Sequence, residues 1–287
     1  MFEGFTRELI QSPEATICTQ RAANGPPLLL LHGYPQSHVM WHRVAPGFAE
    51  EFTVVCTDLR GYGDSSKPPT TPDHEPYSKR AMARDQVAVM QALGFERFMV
   101  VGHDRGGRVA YRMALDHPDR VQKLATIDIA PTGEMYRRTD MAFALGYWHW
   151  FFLPQPHDFP ERVISAAPDA FFARLNQLFF DPAAREQYRR CYTDPKTIHA
   201  TCEDYRAGAT YDFQLDEVDR ATGARIRCPV LALWGSRGLV GRTYDVLEIW
   251  RGWADDVQGQ PIEGGHFLPE EAPEETLKTL RSFLRKS

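Results

Sequence analysis

The stretch "VVGHDRGGRVAYR", Val100 to Arg112, decides how the chain is read. An apolar run, a glycine-flanked turn and a helix-forming segment follow one another without a spacer. That order predicts a strand–turn–helix elbow of the G-x-Nu-x-G type, in which a sharp turn lifts the central side chain clear of a sheet. Serine is the usual central residue. Here Gly102-His103-Asp104-Arg105-Gly106 centres on aspartate, and arginines stand one and four residues beyond it.

Outward from the elbow, short apolar runs alternate with helical patterns. "PPLLLLHG" (26–33), "FTVVCTDLRG" (52–61), "RFMVVGHD" (97–104) and "VQKLATIDIAP" (121–131) read as strands, and "SKRAMARDQVAVMQALG" (78–94) as an amphipathic helix ending at Gly94. Strands that are apolar throughout imply burial on both faces, hence an α/β fold with a mostly parallel central sheet flanked by helices. From about Gly133 the texture becomes helical and aromatic, as in "YRRTDMAFALGYWHWFFLPQP". Alternation resumes with "RCPVLALWG" (227–235), a helix at 246–254, a strand near "VQGQPIEGGH" and a last helix from about Glu270. The expected division is a core of 1–132 and 219–287, interrupted by a helical cap at 133–218.

The totals exclude several classes. A chain of 287 residues with 43% hydrophobic residues can bury a large core. Its net charge of −5, without a dense Lys/Arg run, argues against a nucleic-acid partner. The five cysteines, Cys18, Cys56, Cys191, Cys202 and Cys228, form no C-x-x-C pair, so neither zinc nor a disulfide framework is expected. "MFEGFTRELI" lacks the apolar region of a signal peptide, and no apolar run is long enough for a bilayer. A cytoplasmic protein acting on a small molecule is expected, with no membrane, metal or organic cofactor.

Reactive groups in open α/β sheets gather at the carboxyl ends of strands. Asp104 stands at the elbow, and His266 lies in "IEGGHFLPEEAPEE", between the last strand and the last helix. An acid to orient that histidine is found by elimination. The loop after "VLALWG" is Ser236-Arg237-Gly238-Leu239, with no carboxylate before Asp245, whereas "KLATIDIAP" ends in Asp128. Asp128 is therefore the expected acid. Tyr34 and His32 of "LLLLHGYP" fall where an oxyanion-hole loop belongs, with the N–H groups of Tyr34 and Arg105 as candidate donors.

Aspartate at the elbow has a chemical meaning. Serine displacing a leaving group from saturated carbon would form an ether that water does not readily cleave. Aspartate forms an ester whose carbonyl belongs to the protein, and water activated by His266 can attack it while Asp128 steadies the imidazole. Alkyl halides and epoxides fit such chemistry. Arg105 and Arg108 share a helix face near Asp104. Cations in a first helical turn oppose the macrodipole at about 0.3–1 kcal/mol, a cost that an anionic ligand offsets. Two guanidinium forks suit a carboxylate. Arg112, a turn further on, has Asp116 four residues away and reads as a surface pair.

"HGYPQSHVMWH", "DLRGYGDSSKP", "GHDRGGRVAYRMALDHP", "CEDYRAGA" and "GGHFLPEEAPEE" together resemble the fluoroacetate dehalogenases of the α/β-hydrolase superfamily. The resemblance covers essentially the whole chain. It implies Asp104 as nucleophile, His266 as base, Asp128 as its supporting acid, and Arg105 with Arg108 as holders of the substrate carboxylate. It further implies His149, Trp150 and Tyr205 as halide-binding donors, a 2-haloacid as substrate, and a homodimer. The expected reaction is hydrolytic dehalogenation with inversion at the α-carbon. Two alternatives remain: an epoxide hydrolase using Tyr205 with Tyr147 or Tyr136, and a non-catalytic binding protein of the same fold.

Overall fold

The computed structural model describes residues 1–22 and 25–285. Its core is an eight-stranded sheet: β1 (Thr6–Gln11), β2 (Thr16–Ala22), β3 (Pro27–Leu31), β4 (Thr53–Thr57), β5 (Phe98–His103), β6 (Val121–Ile127), β7 (Val230–Gly235) and β8 (Val257–Ile262). The strand order is β1-β2-β4-β3-β5-β6-β7-β8. From β4 to β8 all neighbours are parallel, whereas β2 pairs antiparallel with both β1 and β4. The chain belongs to the α/β architecture that its apolar runs predict.

The central strands lie where helices cover both faces, so both sides of each strand are apolar. Val54, Val55, Leu28 to Leu31, and Phe98, Val100 and Val101 are all buried. The edge hairpin of β1 and β2 escapes a search for apolar runs because β1 (TRELIQ) is polar and largely exposed. A strand at a sheet edge needs only one covered face.

The helix Lys79–Ala92 starts where Ser78 accepts the Ala81 N–H, and its chain exit turns at Gly94, which has φ +85°. Between β6 and β7 the chain forms only helices and turns, from Thr132–Arg137 through Pro195–Ala207 to Phe213–Thr222. The first of these are short, with Pro154 and Pro156 among the interruptions and Pro160 in the first turn of the helix Phe159–Ala166. The last runs past residue 218 and ends against Gly223, whose φ is +69°. Among the described residues, no helix is long and apolar enough to cross a membrane.

Asp216, on that last helix, ties both roots of the inserted segment to the core. Its Oδ2 accepts the Tyr111 hydroxyl at 2.7 Å and the Gly133 N–H at 2.7 Å. Burial pushes its pKa up to about 7 against the opposing pull of these two donors. A folded-state pKa above the unfolded value contributes stability that is present below about pH 4 and is lost as pH rises toward 7. Asn at this position retains an acceptor for both donors and cannot ionise. Melting temperature measured from pH 4 to 8 is expected to fall less steeply in Asp216→Asn than in the wild type.

Candidate active site

Asp104 follows β5 directly, with φ +45° and ψ −116°, a conformation that costs a non-glycine residue about 1–3 kcal/mol. Close backbone approach on both sides enforces it. A Cβ on Gly102 would lie 2.4 Å from the Gly106 carbonyl oxygen, and one on Gly106 would lie 2.4 Å from that of His32. The Gly106 N–H donates to that same His32 oxygen at 2.9 Å, binding the elbow to the loop after β3. From that loop the Tyr34 N–H donates to Asp104 Oδ2 at 2.9 Å. Burial alone would raise the Asp104 pKa; His266, His103, Arg108 and Arg105 together hold it well below the usual carboxylate range.

Asp128 follows β6, also at positive φ (+54°). Its Oδ2 lies 2.6 Å from His266 Nδ1, and its Oδ1 accepts the Gly235 N–H at 3.0 Å. The loop after β7, which has no acid of its own, thus supplies a donor to the acid from β6. Gly238 leaves room for that carboxylate, since a Cβ there would lie 2.9 Å from Asp128 Oδ1. Burial lowers the His266 pKa, but the bond to Asp128 and the charges of Asp128 and Asp104 outweigh it, so the net direction is up.

His103 has a role the sequence does not announce. Its Nε2–H donates to the His266 carbonyl at 2.8 Å, steadying the loop that carries that residue. Burial pushes its pKa down to about 3, so the ring is neutral. His32 stands in the loop after β3, where it is expected, and its ring is bonded to backbone on both sides. Its Nδ1–H donates to the Gly33 carbonyl at 2.9 Å, and its Nε2 accepts the Leu59 N–H at 3.0 Å. With both ring nitrogens used, His32 shapes the loop and offers no donor to the site.

The two arginines beyond Asp104 differ. Arg105 is gripped by Asp204, with Nε to Oδ2 at 2.9 Å and Nη2 to Oδ1 at 2.6 Å. Asp204 also accepts Tyr62 Oη at 2.5 Å and pairs with Lys79. Arg105 Nη1 is left buried without a partner among the described residues. Among the described residues Arg108 has no carboxylate partner. Its Nη1 donates to the Ala130 carbonyl and Thr132 Oγ1, its Nη2 rests against Met135 Sδ, and its Nε is buried and unpartnered. Arg112 does pair with Asp116, at 3.4 Å, and with Asp219, at 2.6 Å, yet it is buried and not on the surface.

The helical segment between β6 and β7 places Trp150 and Tyr205 over these cations. The Trp150 ring centroid lies 4.4 Å from the Arg108 guanidinium carbon, and the Tyr205 centroid lies 4.2 Å from that of Arg105. The His149 ring packs on Tyr34 at 5.9 Å and on Tyr205 at 5.7 Å. Burial, reinforced by Arg174 and Arg105, drives the His149 pKa well down, leaving a neutral ring. The hydroxyls of Tyr205 and Tyr34 are buried with no hydrogen-bond partner among the described residues. Unpartnered buried donors of this kind are costly unless a ligand meets them.

A strand–turn–helix elbow with aspartate at its tip, an Asp–His pair from the ends of β6 and β8, and a helical insertion define a hydrolase class. Residues 26–273 match the family described as alpha/beta hydrolase fold, and the chain is an enzyme of that family. The resemblance carried by its motifs extends over nearly its whole length. Fluoroacetate dehalogenase from Burkholderia sp is 49% identical across 99% of this chain and 95% of that protein. Soluble epoxide hydrolase from Corynebacterium sp. (strain C12) is 34% identical, covering 91% of each. The crystal structure of ALR0039 from Nostoc sp PCC 7120, a candidate α/β hydrolase, superposes with a TM-score of 0.98 at 56% identity, covering 100% of both chains.

The elbow's geometry makes its glycines irreplaceable. In Gly106→Ala the new methyl would overlap backbone of β3 and the loop beyond it, which cannot yield without moving Tyr34. The variant is expected to lose about 2 kcal/mol or more of stability in a urea titration.

Proposed function

We propose that the protein is a hydrolytic dehalogenase of short 2-haloacids, converting fluoroacetate to glycolate and fluoride and accepting chloro- and bromoacetate. The observation that carries this assignment is Arg108, a buried cation beside Asp104 with no carboxylate of its own. Arg105 Nη1 adds a second open donor. A substrate carboxylate supplies the counter-charge that Arg108 lacks and an acceptor for the open Nη1 of Arg105.

With the carboxylate held by Arg105 and Arg108, one Asp104 oxygen attacks the α-carbon and the carbon–halogen bond breaks. The Tyr34 N–H on Oδ2 leaves Oδ1 free to attack. Departing fluoride is poorly stabilised outside water, and the His149 ring N–H, the Trp150 indole N–H and the Tyr205 hydroxyl act as its replacement solvation. Losing one such donor in a comparable oxyanion site costs about 2.7–4 kcal/mol. His266 then takes a proton from water, and the hydroxide adds to the Asp104 ester carbonyl. The oxygen that becomes negative is the one already facing the Tyr34 N–H. Collapse releases glycolate, with the proton returned from His266. The displacement inverts the α-carbon and the hydrolysis leaves it alone. No metal or organic cofactor enters this scheme.

A second reading, epoxide hydrolysis, draws support from the Corynebacterium relative and from the buried, unpartnered phenols of Tyr205 and Tyr136. An uncharged epoxide, however, leaves Arg108 without a counter-ion. We further infer that residues 133–218 act as a cap over a core of 1–132 and 219–287. The exposed cap residues Met141, Leu145 and Trp148 suit a homodimer contact, and five unpaired cysteines suit a reducing cytoplasm.

Fluoride released from fluoroacetate, read with a fluoride electrode, is the direct test. Asp104→Asn is expected to release none, and His266→Ala to stop at an ester on Asp104 visible by mass spectrometry. A folded, substrate-binding His266→Ala without that adduct would sink the two-step scheme, as would retained or racemic lactate from 2-chloropropionate. Turnover of styrene oxide without halide release would favour the epoxide reading. The pH profile separates the steps. Only neutral His266 accepts a proton from water, so ester hydrolysis rises with pH through its ionisation while the first burst of halide does not. Asp128 holds that pKa up against burial. Asp128→Asn is therefore expected to shift the limb to lower pH in stopped-flow measurements and slow hydrolysis about 10²–10⁴-fold.

A further inference from the structure

The turn Ala173–Asn176, in the helical insertion, carries a cation that the chemistry above does not use. Arg174 is half-buried, with its guanidinium carbon 5.1 Å from the centroid of the Tyr34 ring. Among the described residues it has no ion pair and no hydrogen bond. Arg189 pairs with Asp169, Arg190 with Asp64, and Arg206 with Glu161 and Glu203; Arg162 and Arg185 also lack an ion pair among the described residues, but it is Arg174 whose guanidinium covers the Tyr34 ring. Phe172 anchors the turn, its ring meeting Tyr34 at 6.0 Å and Tyr192 at 4.4 Å.

Position gives this cation its meaning. Tyr34 holds Asp104 through its backbone N–H while its ring lies under Arg174. The Arg174 charge reaches Tyr34, Tyr147, His149, Tyr205 and His266, the ring groups around the elbow. Arg105 and Arg108 are fully buried, whereas Arg174 keeps contact with solvent. Packed rings link Arg174 to Arg105: Arg174 covers Tyr34, Tyr34 meets Tyr205 at 5.2 Å, and Tyr205 lies 4.2 Å from the Arg105 guanidinium carbon. A chain of net charge −5 repels small anions at a distance, and a cation at the rim reverses that locally. A contact with one aromatic face is a modest stabiliser, and covering a ring does not require a charge.

We propose that Arg174 is a specificity-determining residue that draws the carboxylate of the substrate past Tyr34 to Arg105 and Arg108. The proposal rests on the haloacid assignment. Because the contact is made on the way in, it acts on capture, not on displacement or ester hydrolysis.

The test measures kcat and KM for chloroacetate in Arg174→Gln, Arg174→Glu and Arg174→Lys, with ionic strength raised by a non-halide salt. Arg174→Gln is expected to lower kcat/KM about three- to tenfold, through KM, and to flatten its dependence on ionic strength. Arg174→Glu should lose more, and Arg174→Lys should recover most of the wild-type value. Thermal midpoint should stay unchanged in all three, as should kcat read on the plateau above the His266 ionisation. Wild-type KM and salt dependence in both the Gln and Glu variants would overturn the proposal while leaving the haloacid assignment standing. A loss confined to kcat and thermal midpoint would also overturn it, by making Arg174 structural. Wild-type enzyme releasing no halide from fluoroacetate or chloroacetate would remove both.

Discussion

The left-handed turn at Asp104 is the constraint on which the rest of the site depends. A residue at φ +45° is strained, and it persists because the loop after β3 and the helix after β5 press against it from two sides. The same close approach brings the Tyr34 N–H onto the Asp104 carboxylate. Parallel pairing of β3, β5, β6 and β7 then brings Asp128 and the Gly235 N–H to one end of the sheet. His266 follows β8 and completes the set through Asp128. Strain at one residue is thus held by hydrogen bonds that also serve the chemistry.

Electrostatics divides the labour around this turn. Two guanidinium groups lie beside a carboxylate in a buried space, yet only one of them is neutralised by the protein. Asp204 clamps Arg105 and makes it a rigid donor with a single open nitrogen. Arg108 is held by a carbonyl, a hydroxyl and a sulfur, none of which cancels its charge. A buried charge held by neutral groups is kept in place but not satisfied, which makes it selective for an anion. The aromatic groups above it include a neutral His149 and a Tyr205 hydroxyl with no partner among the described residues, the donors that the proposed reaction assigns to the leaving halide.

Much of this was legible in the chain. The parallel strands announce themselves because burial on two faces demands unbroken apolar runs, and the elbow because its glycines have no substitute. Asp104, Asp128 and His266 follow from loop position, since strand ends converge. The β1–β2 hairpin was hidden by its polar, edge-exposed composition. The place of His32 in the loop after β3 was legible, but not the backbone bonds that use both of its ring nitrogens. His103, Asp204 and Arg174 carry no signal of their own, for their roles lie in partners far along the chain: Asp204 is 99 residues from Arg105.

The sequence by itself determined the α/β core, the identity of the residue at the elbow and the kind of ester that an aspartate there can form. These rest on local rules of periodicity, turn sterics and bond chemistry. Only the tertiary structure decided which arginine is spent on an internal carboxylate and which stays open, and which histidine reaches the site. Those outcomes depend on long-range packing, because a charge or ring nitrogen is defined by the group it meets in space and not by its neighbours in the chain.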